Sequence, residues 1–234
     1  MQPSDYENLT PAQAIAYQHE LRRQINIKPL DKPIHIIGGA DISFNKYSDI
    51  VYAGIVLFSY PELKVIGTAT AISKTKFPYI SGLLAFREVP ALLEAWNKLE
   101  TKPDLMVLDG QGIAHERRTG IATHFGLITN TPAIGSAKSR LTGRYDEPGN
   151  RPFDQSPMYD KGEVIGIALR TKHNCNPIYI SPGHRVSMQQ SVDIIKNCIH
   201  GYRIPEPTRQ AHLLVNKIRI DDGQNSGQQF TLFN

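Results

Sequence analysis

Three acidic residues stand where apolar segments end or are interrupted, and these positions are where the chain could do chemistry. Asp41 lies in IIGGADISF, within or beside an apolar strand. A carboxylate buried there is unfavourable by several kcal/mol unless it is paired or bound to a cation. Two readings stay open: a Gly-Gly bulge turns Asp41 to water, or Asp41 has a partner. Asp109 ends the run LMVL immediately before Gly-Gln-Gly. Alone it reads as an Asp-Gly turn, although glycines also permit close backbone approach to a ligand. Glu88, in AFREVP, precedes an expected helix, where the macrodipole favours an exposed acid. The topology can bring all three to one end of a sheet, where they repel each other unless a divalent cation is present. Oxygen ligands suit Mg²⁺ or Mn²⁺, and the matching chemistry is metal-assisted phosphodiester cleavage.

Other side chains extend that chemistry. Lys138 begins the basic loop SAKSRLTGR with Arg140 and Arg144. It is either a solvated loop or one that contacts phosphates and stabilises charge beside the cleavage site. His212 lies at the flank of a helical apolar stripe, and spacing does not select it. Tyr79 occupies a Pro/Gly-bounded loop, FPYISGLL, from which it could wedge into a base stack or pack on the core.

The elements that must position these residues follow from periodicity. Thr10-Pro11-Ala12-Gln13 is a capping box with proline at the first helical position, opening a helix to about residue 25. Three β-branched runs, 34–44, 50–58 and 64–72, are separated by the short turns NKYSD and SYPE, as in an antiparallel meander. The period then becomes helical over 90–99, with Pro90 at the first position and Leu92, Leu93 and Trp96 on one face. Residues 105–108 form a continuous apolar run expected of a buried strand. A helix over 117–127 and strands at 132–135, 164–169 and 178–180 come next. Ser187 caps a helix that stops at Gly201, and Thr208 caps a last one carrying Ala211, Leu214, Val215 and Ile218. This order predicts an α/β mixed sheet, three antiparallel strands followed by alternating α/β units, with helices on both faces. Residues 1–220 are expected to be one catalytic domain and 221–234 a flexible tail.

Composition bounds the rest. The net charge of +4 suits a polyanionic partner without demanding one. The 2 cysteines, Cys175 and Cys198, match no zinc spacing and are too few for a disulfide framework, which fits a reducing cytoplasm. No apolar run approaches the roughly 18 residues of a membrane span, and MQPSDYENLT is unlike a signal peptide.

IGGADISF, FPYISGLLAFREVP, LMVLDGQGIAHERRTGIATHFG, PAIGSAKSRL and EPTRQAH occur in an order that resembles endonuclease V, the deoxyinosine-directed repair nuclease family, over about residues 13–219. The resemblance implies a ribonuclease H-like fold. It implies Asp41, Glu88 and Asp109 as the acidic metal-binding and catalytic set, with His212 as fourth polar member and Lys138 as the active-site lysine. It also implies Tyr79 as a DNA wedge, and Gly82, Leu84, Gly110 and His115 as the pocket for a flipped hypoxanthine. The implied activity is Mg²⁺-dependent hydrolysis of the second phosphodiester bond 3′ to a deaminated base in DNA, leaving 3′-hydroxyl and 5′-phosphate ends. Inosine-containing RNA is a further substrate class, and the enzyme is expected to be monomeric. Ser81 departs from the family wedge motif, which has a second proline there; it frees a φ angle and restores an N–H. Another ribonuclease H-like nuclease, such as the nuclease half of the nucleotide-excision incision enzyme, lacks this wedge motif. A non-cutting binder of deaminated bases would not need all the acids.

Overall fold

The short run LMVL is strand β4, Leu105–Leu108, and all four of its residues are buried. Its side chains alternate between two cores: Met106 and Leu108 enter one, Leu105 and Val107 the other. A strand covered on both faces reads as a continuous apolar run because neither side needs polar groups. The computed structural model describes residues 3–45 and 48–230. Lys46 and Tyr47, in the turn expected between the first two strands, lie outside the described residues, as do residues 231–234 of the expected tail.

Around β4 the structure places β1 (Ile36–Ser43), β2 (Ile50–Ser59), β3 (Val65–Lys74), β5 (Ala133–Ala137), β6 (Gln155–Asp160), β7 (Glu163–Leu169) and β8 (Ile178–His184). They form one eight-stranded sheet in the order β3-β2-β1-β4-β5-β8-β7-β6. The expected meander is present: β1 pairs with β2 and β2 with β3, both antiparallel. β1, β4 and β5 run parallel, and antiparallel pairing returns from β5 outward to β6.

The helices are α1 (Pro11–Arg22), α2 (Leu84–Asn97), α3 (Ile121–Thr129), α4 (Met188–Asn197) and α5 (Glu206–Phe230). Residues of α2 and α3 share a core with one face of β1, β2 and β4, while α4 and α5 cover the other. The capping box at Thr10 opens α1, with the Thr10 side chain and Gln13 each satisfying the other's backbone N–H.

Three expected helix starts are corrected. Helix α2 starts at Leu84, so Pro90 lies inside it and Glu88 in its second turn. An interior proline destabilises a helix by about 3 kcal/mol. Burial of Phe86 and Val89, each 0 % exposed, offsets that at about 1.5–3 kcal/mol per side chain. Helix α3 begins at Ile121, because Arg118 has a φ of 65° and the preceding residues form a loop. Helix α5 begins at Glu206, so Thr208 is helical and donates its hydroxyl to the Pro205 carbonyl instead of capping. The same helix continues past Asp221 to Phe230. Strand β6 was not expected, since QSPMYD carries a proline and a single fully buried side chain, Met158.

Candidate active site

The parallel register between β1 and β4 fixes the first two acids. Ala40 pairs with Leu108, and the Asp109 N–H donates to the Ala40 carbonyl at 3.1 Å. Asp41 and Asp109 are therefore neighbours at the same ends of adjacent strands, where functional residues of such sheets gather. Alternation sends Asp41 toward α5, along with Ile37 and Gly39. Gly39 is required for this approach: a Cβ there would lie 2.0 Å from the Pro207 carbonyl oxygen, so only glycine lets α5 lie directly on β1. The Gly-Gly pair thus serves close packing and makes no bulge, since the β1–β2 register is unbroken from Ile36 to Ser43.

With α5 seated there, His212 Nδ1 lies 2.7 Å from Asp41 Oδ2. Asn216 Nδ2 lies 3.0 Å from His212 Nε2. The amide can only donate, so Nε2 accepts and Nδ1 carries the proton toward the carboxylate. One ligand atom each from Asp41, Asp109 and His212 lie within 4.8 Å of one another. Glu88 faces them from α2 and joins Asp41 and Asp109 in lining a small cavity of about 110 Å³. Lys138, following β5, makes a close ion pair with Asp109.

Electrostatics agrees with the crowding. Burial, then the charges of Asp41 and Asp109, push the Glu88 carboxyl up to about 8. Burial and Asp109 raise Asp41 to about 6, against the opposing hydrogen bond from His212. Carboxyls that hold their protons this strongly are stabilised as anions by a cation. Carboxylate oxygens of Asp41 and Asp109, with that of Glu88 opposite, fit a hard divalent ion, and His212 stands beside them as the partner of Asp41.

A second cavity of about 350 Å³ adjoins this cluster and shares Glu88 and Asp109 as lining. Gly82 and Leu84 lie on one wall, Gly110 and His115 on another, and Lys138 and Arg140 on a third. Gly82 has a φ of 77°, and a Cβ would stand 2.2 Å from Glu116 Oε1. His115 is buried, and both ring nitrogens are engaged: Nε2 donates to the Gly82 carbonyl at 3.0 Å and Nδ1 accepts the Arg117 N–H at 3.1 Å. Burial and the Arg117 charge lower its pKa to about 4, so the ring stays neutral.

Two sequence candidates stand apart. Tyr79 is 63 % exposed, packs against Phe44 with the rings tilted at 57°, and lines a different cavity, of about 670 Å³. Arg144 is exposed, exchanges backbone hydrogen bonds with Tyr159, and is not among the lining residues. Sequence reasoning missed Arg87, which is buried and ties the loop carrying Tyr79 to the β1–β2 turn through the carbonyls of Phe77 and Ser48. It also missed Asn216 and Gln18. The available signal was a polar residue on an otherwise apolar helix face.

An eight-stranded mixed sheet of this order, with acids at the ends of its adjacent parallel strands, defines a nuclease of the ribonuclease H-like class. The endonuclease V family model matches residues 19–213. Endonuclease V of Trichormus variabilis is 43% identical over 209 residues, covering 89% of this chain and 95% of the relative. The crystal structure of endonuclease V from Streptomyces avermitilis superposes with a TM-score of 0.86 at 36% identity, covering 92% of this chain and 95% of that one. The Ciona intestinalis endonuclease V, in complex with a 24mer DNA containing an inosine followed by a ribo-adenosine, has a TM-score of 0.78 at 30% identity, covering 90% and 98%. The chain belongs to the endonuclease V family.

Proposed function

We propose that this protein is a Mg²⁺-dependent DNA repair endonuclease, with Mn²⁺ able to substitute, that recognises deaminated bases, chiefly hypoxanthine in deoxyinosine. It hydrolyses the second phosphodiester bond 3′ to the lesion and leaves 3′-hydroxyl and 5′-phosphate ends. The observation that carries this reading is the shared wall: Glu88 and Asp109 line both the small acidic cavity and the larger one. A base held in the larger cavity would leave its 3′ backbone beside the acids.

Asp41, Asp109 and Glu88 would hold the cation, with His212 beside Asp41. When bound, the cation supplies Lewis acidity at the phosphate and lowers the pKa of water. Lys138, ion-paired with Asp109, would neutralise charge on the phosphate. Tyr79, exposed on its loop, would fill the gap left by the extruded base, at an unstacking cost of a few kcal/mol that weak pairing reduces. Gly82, Leu84, Gly110 and His115 would enclose the base. Arg140, lining the same cavity, and the exposed Arg144 are assigned to backbone phosphates. We place the activity in the cytoplasm and in a monomer; among the described residues no helix is long and apolar enough to cross a membrane.

A second reading, cleavage of inosine-containing RNA, is favoured by the ribo-adenosine beside the inosine in the Ciona complex. An end-labelled strand with one deoxyinosine, incubated with Mg²⁺ or with chelator, tests the main reading. The expected result is a metal-dependent nick at the second bond 3′ to the lesion. A parallel inosine RNA strand ranks the two substrates. Binding without a nick, or cutting indifferent to the inosine, contradicts the proposal.

A further inference from the structure

The Gly82 carbonyl accepts hydrogen bonds from three side chains: Gln18 Nε2 at 2.9 Å, His115 Nε2 at 3.0 Å and Arg117 Nη2 at 3.0 Å. A carbonyl oxygen has two lone pairs, so three donors saturate it and fix its direction. Gln18 comes from α1 and is fully buried, on the same helix face as Ala14, Tyr17 and Leu21. That face packs in an apolar and aromatic core, where an aliphatic residue would serve stability at least as well. The amide instead bridges two walls of the larger cavity. Its Nε2 reaches Gly82 on one wall and, at 3.4 Å, the carbonyl of Thr119 on the other, while its Oε1 accepts from Nε of Arg117, which lies outside the lining on the same loop as Thr119.

We propose that Gln18 is a positioning residue for lesion selectivity: it locks the Gly82 turn to the loop after β4 and so sets the width of the base cavity. This rests on the reading of that cavity as the base pocket. Hypoxanthine differs from guanine by the missing 2-amino group and from adenine by an oxygen in place of the 6-amino group. Both nitrogens of His115 are engaged within the protein, so its ring cannot read a base edge without releasing the Gly82 or Arg117 contact. Selection then falls to the shape of the walls and to their backbone groups. A wall free to move would admit the added amino group and hold hypoxanthine less well.

Two substitutions separate the parts of this link. Gln18→Met keeps length and removes every hydrogen bond. Gln18→Glu keeps an acceptor for Arg117 and loses the donor to Gly82. For each, KM and kcat are measured on a strand with one deoxyinosine, and affinity is compared with the same strand carrying deoxyguanosine or deoxyadenosine. The expected result is a KM raised about tenfold with kcat within about threefold, and an inosine preference reduced about tenfold, the scale of one lost hydrogen bond. A folded variant of either kind with the parent's KM and preference overturns the inference. Should Gln18→Met fail to fold, Arg117→Met, at a side chain 15% exposed, cuts the same link and carries the same expectation. A parent protein that does not favour the inosine strand overturns the functional reading itself; a selective parent with equally selective variants overturns this inference alone.

Discussion

The acidic cluster and the neighbouring cavity share two side chains and are built in opposite ways. The acids stand on regular elements: Asp41 in β1, Asp109 one residue past β4, Glu88 in α2 and His212 in α5. Their positions are set by strand register and by one glycine that admits a helix. The cavity is formed largely by loops, and its order comes from side chains tied to a single backbone carbonyl. The first region crowds buried acids whose ionisation a cation favours: burial first, then the neighbouring carboxylates, raises Asp41 and Glu88. The second keeps its buried imidazole, His115, uncharged near physiological pH, with Lys138 and Arg140 also on its lining. One molecule thus separates the two tasks by construction: a packed acidic cluster on regular elements lies on one side of Glu88 and Asp109, and a frame of hydrogen-bonded loops on the other.

The largest break in this comparison comes from Asp109→Ala. Cleavage of the deoxyinosine strand is expected to fall about 10³-fold or more, the scale seen when a preorganised electrostatic group is removed from an active site. Product mapping by denaturing gel checks it. A second break uses pH. Burial, then the neighbouring carboxylates, pushes the Glu88 carboxyl from its ordinary 4.5 up to about 8 in the folded protein, so between those limits the folded state binds more protons than the unfolded one. The stability this contributes is complete below about 4.5 and lost as pH rises to about 8. Denaturant titrations of the metal-free protein should show a decline of at most roughly 1.4 kcal/mol per pH unit from this group. Glu88→Gln should flatten that decline, and Mg²⁺ should oppose it, with apparent metal affinity rising over the same range.

Smaller effects sharpen the reading side. Tyr79→Ala is expected to weaken inosine-duplex cleavage roughly tenfold, as loss of one base–aromatic contact would. A single inosine strand, which needs no wedge, should be affected less, and KM on the two substrates decides. Arg144→Ala lies outside the cavity and should change affinity about equally for damaged and undamaged DNA. Its signature is a salt dependence shallower by about one phosphate contact, read from binding at several salt concentrations.

How much of this was legible in the sequence divides along the same line. Strands β1, β2 and β4 were readable because burial on both faces leaves no polar alternation to confuse them. Strand β6 was not, because an edge strand with Pro157 and one buried side chain carries little apolar signal. The start of α2 was hidden by Pro90, whose local preference is overridden by the burial of Phe86 and Val89. Asp41 and Asp109 could each be suspected as acids at apolar runs, but only the β1–β4 register makes them neighbours. His212 needed the resemblance, since its helical spacing is that of an ordinary boundary residue. Gln18 and Arg87 each show as a polar residue on an apolar helix face, but nothing local names their partners. Gln18 reaches a carbonyl 64 positions away, and Arg87 one 39 positions away, and no short-range pattern encodes such pairings.

The division of labour is tested most directly with Asp41→Asn, a near-isosteric change at a residue that lines the small acidic cavity and not the larger one. Binding and cutting of one labelled deoxyinosine strand are followed together, by anisotropy and by product analysis. The account predicts cleavage lost by about 10³-fold, while the preference for the inosine strand over its undamaged counterpart stays within about threefold of the parent's, well under the change from one lost hydrogen bond. Loss of that preference together with the cut would contradict it, and so would a nick made at the parent's rate.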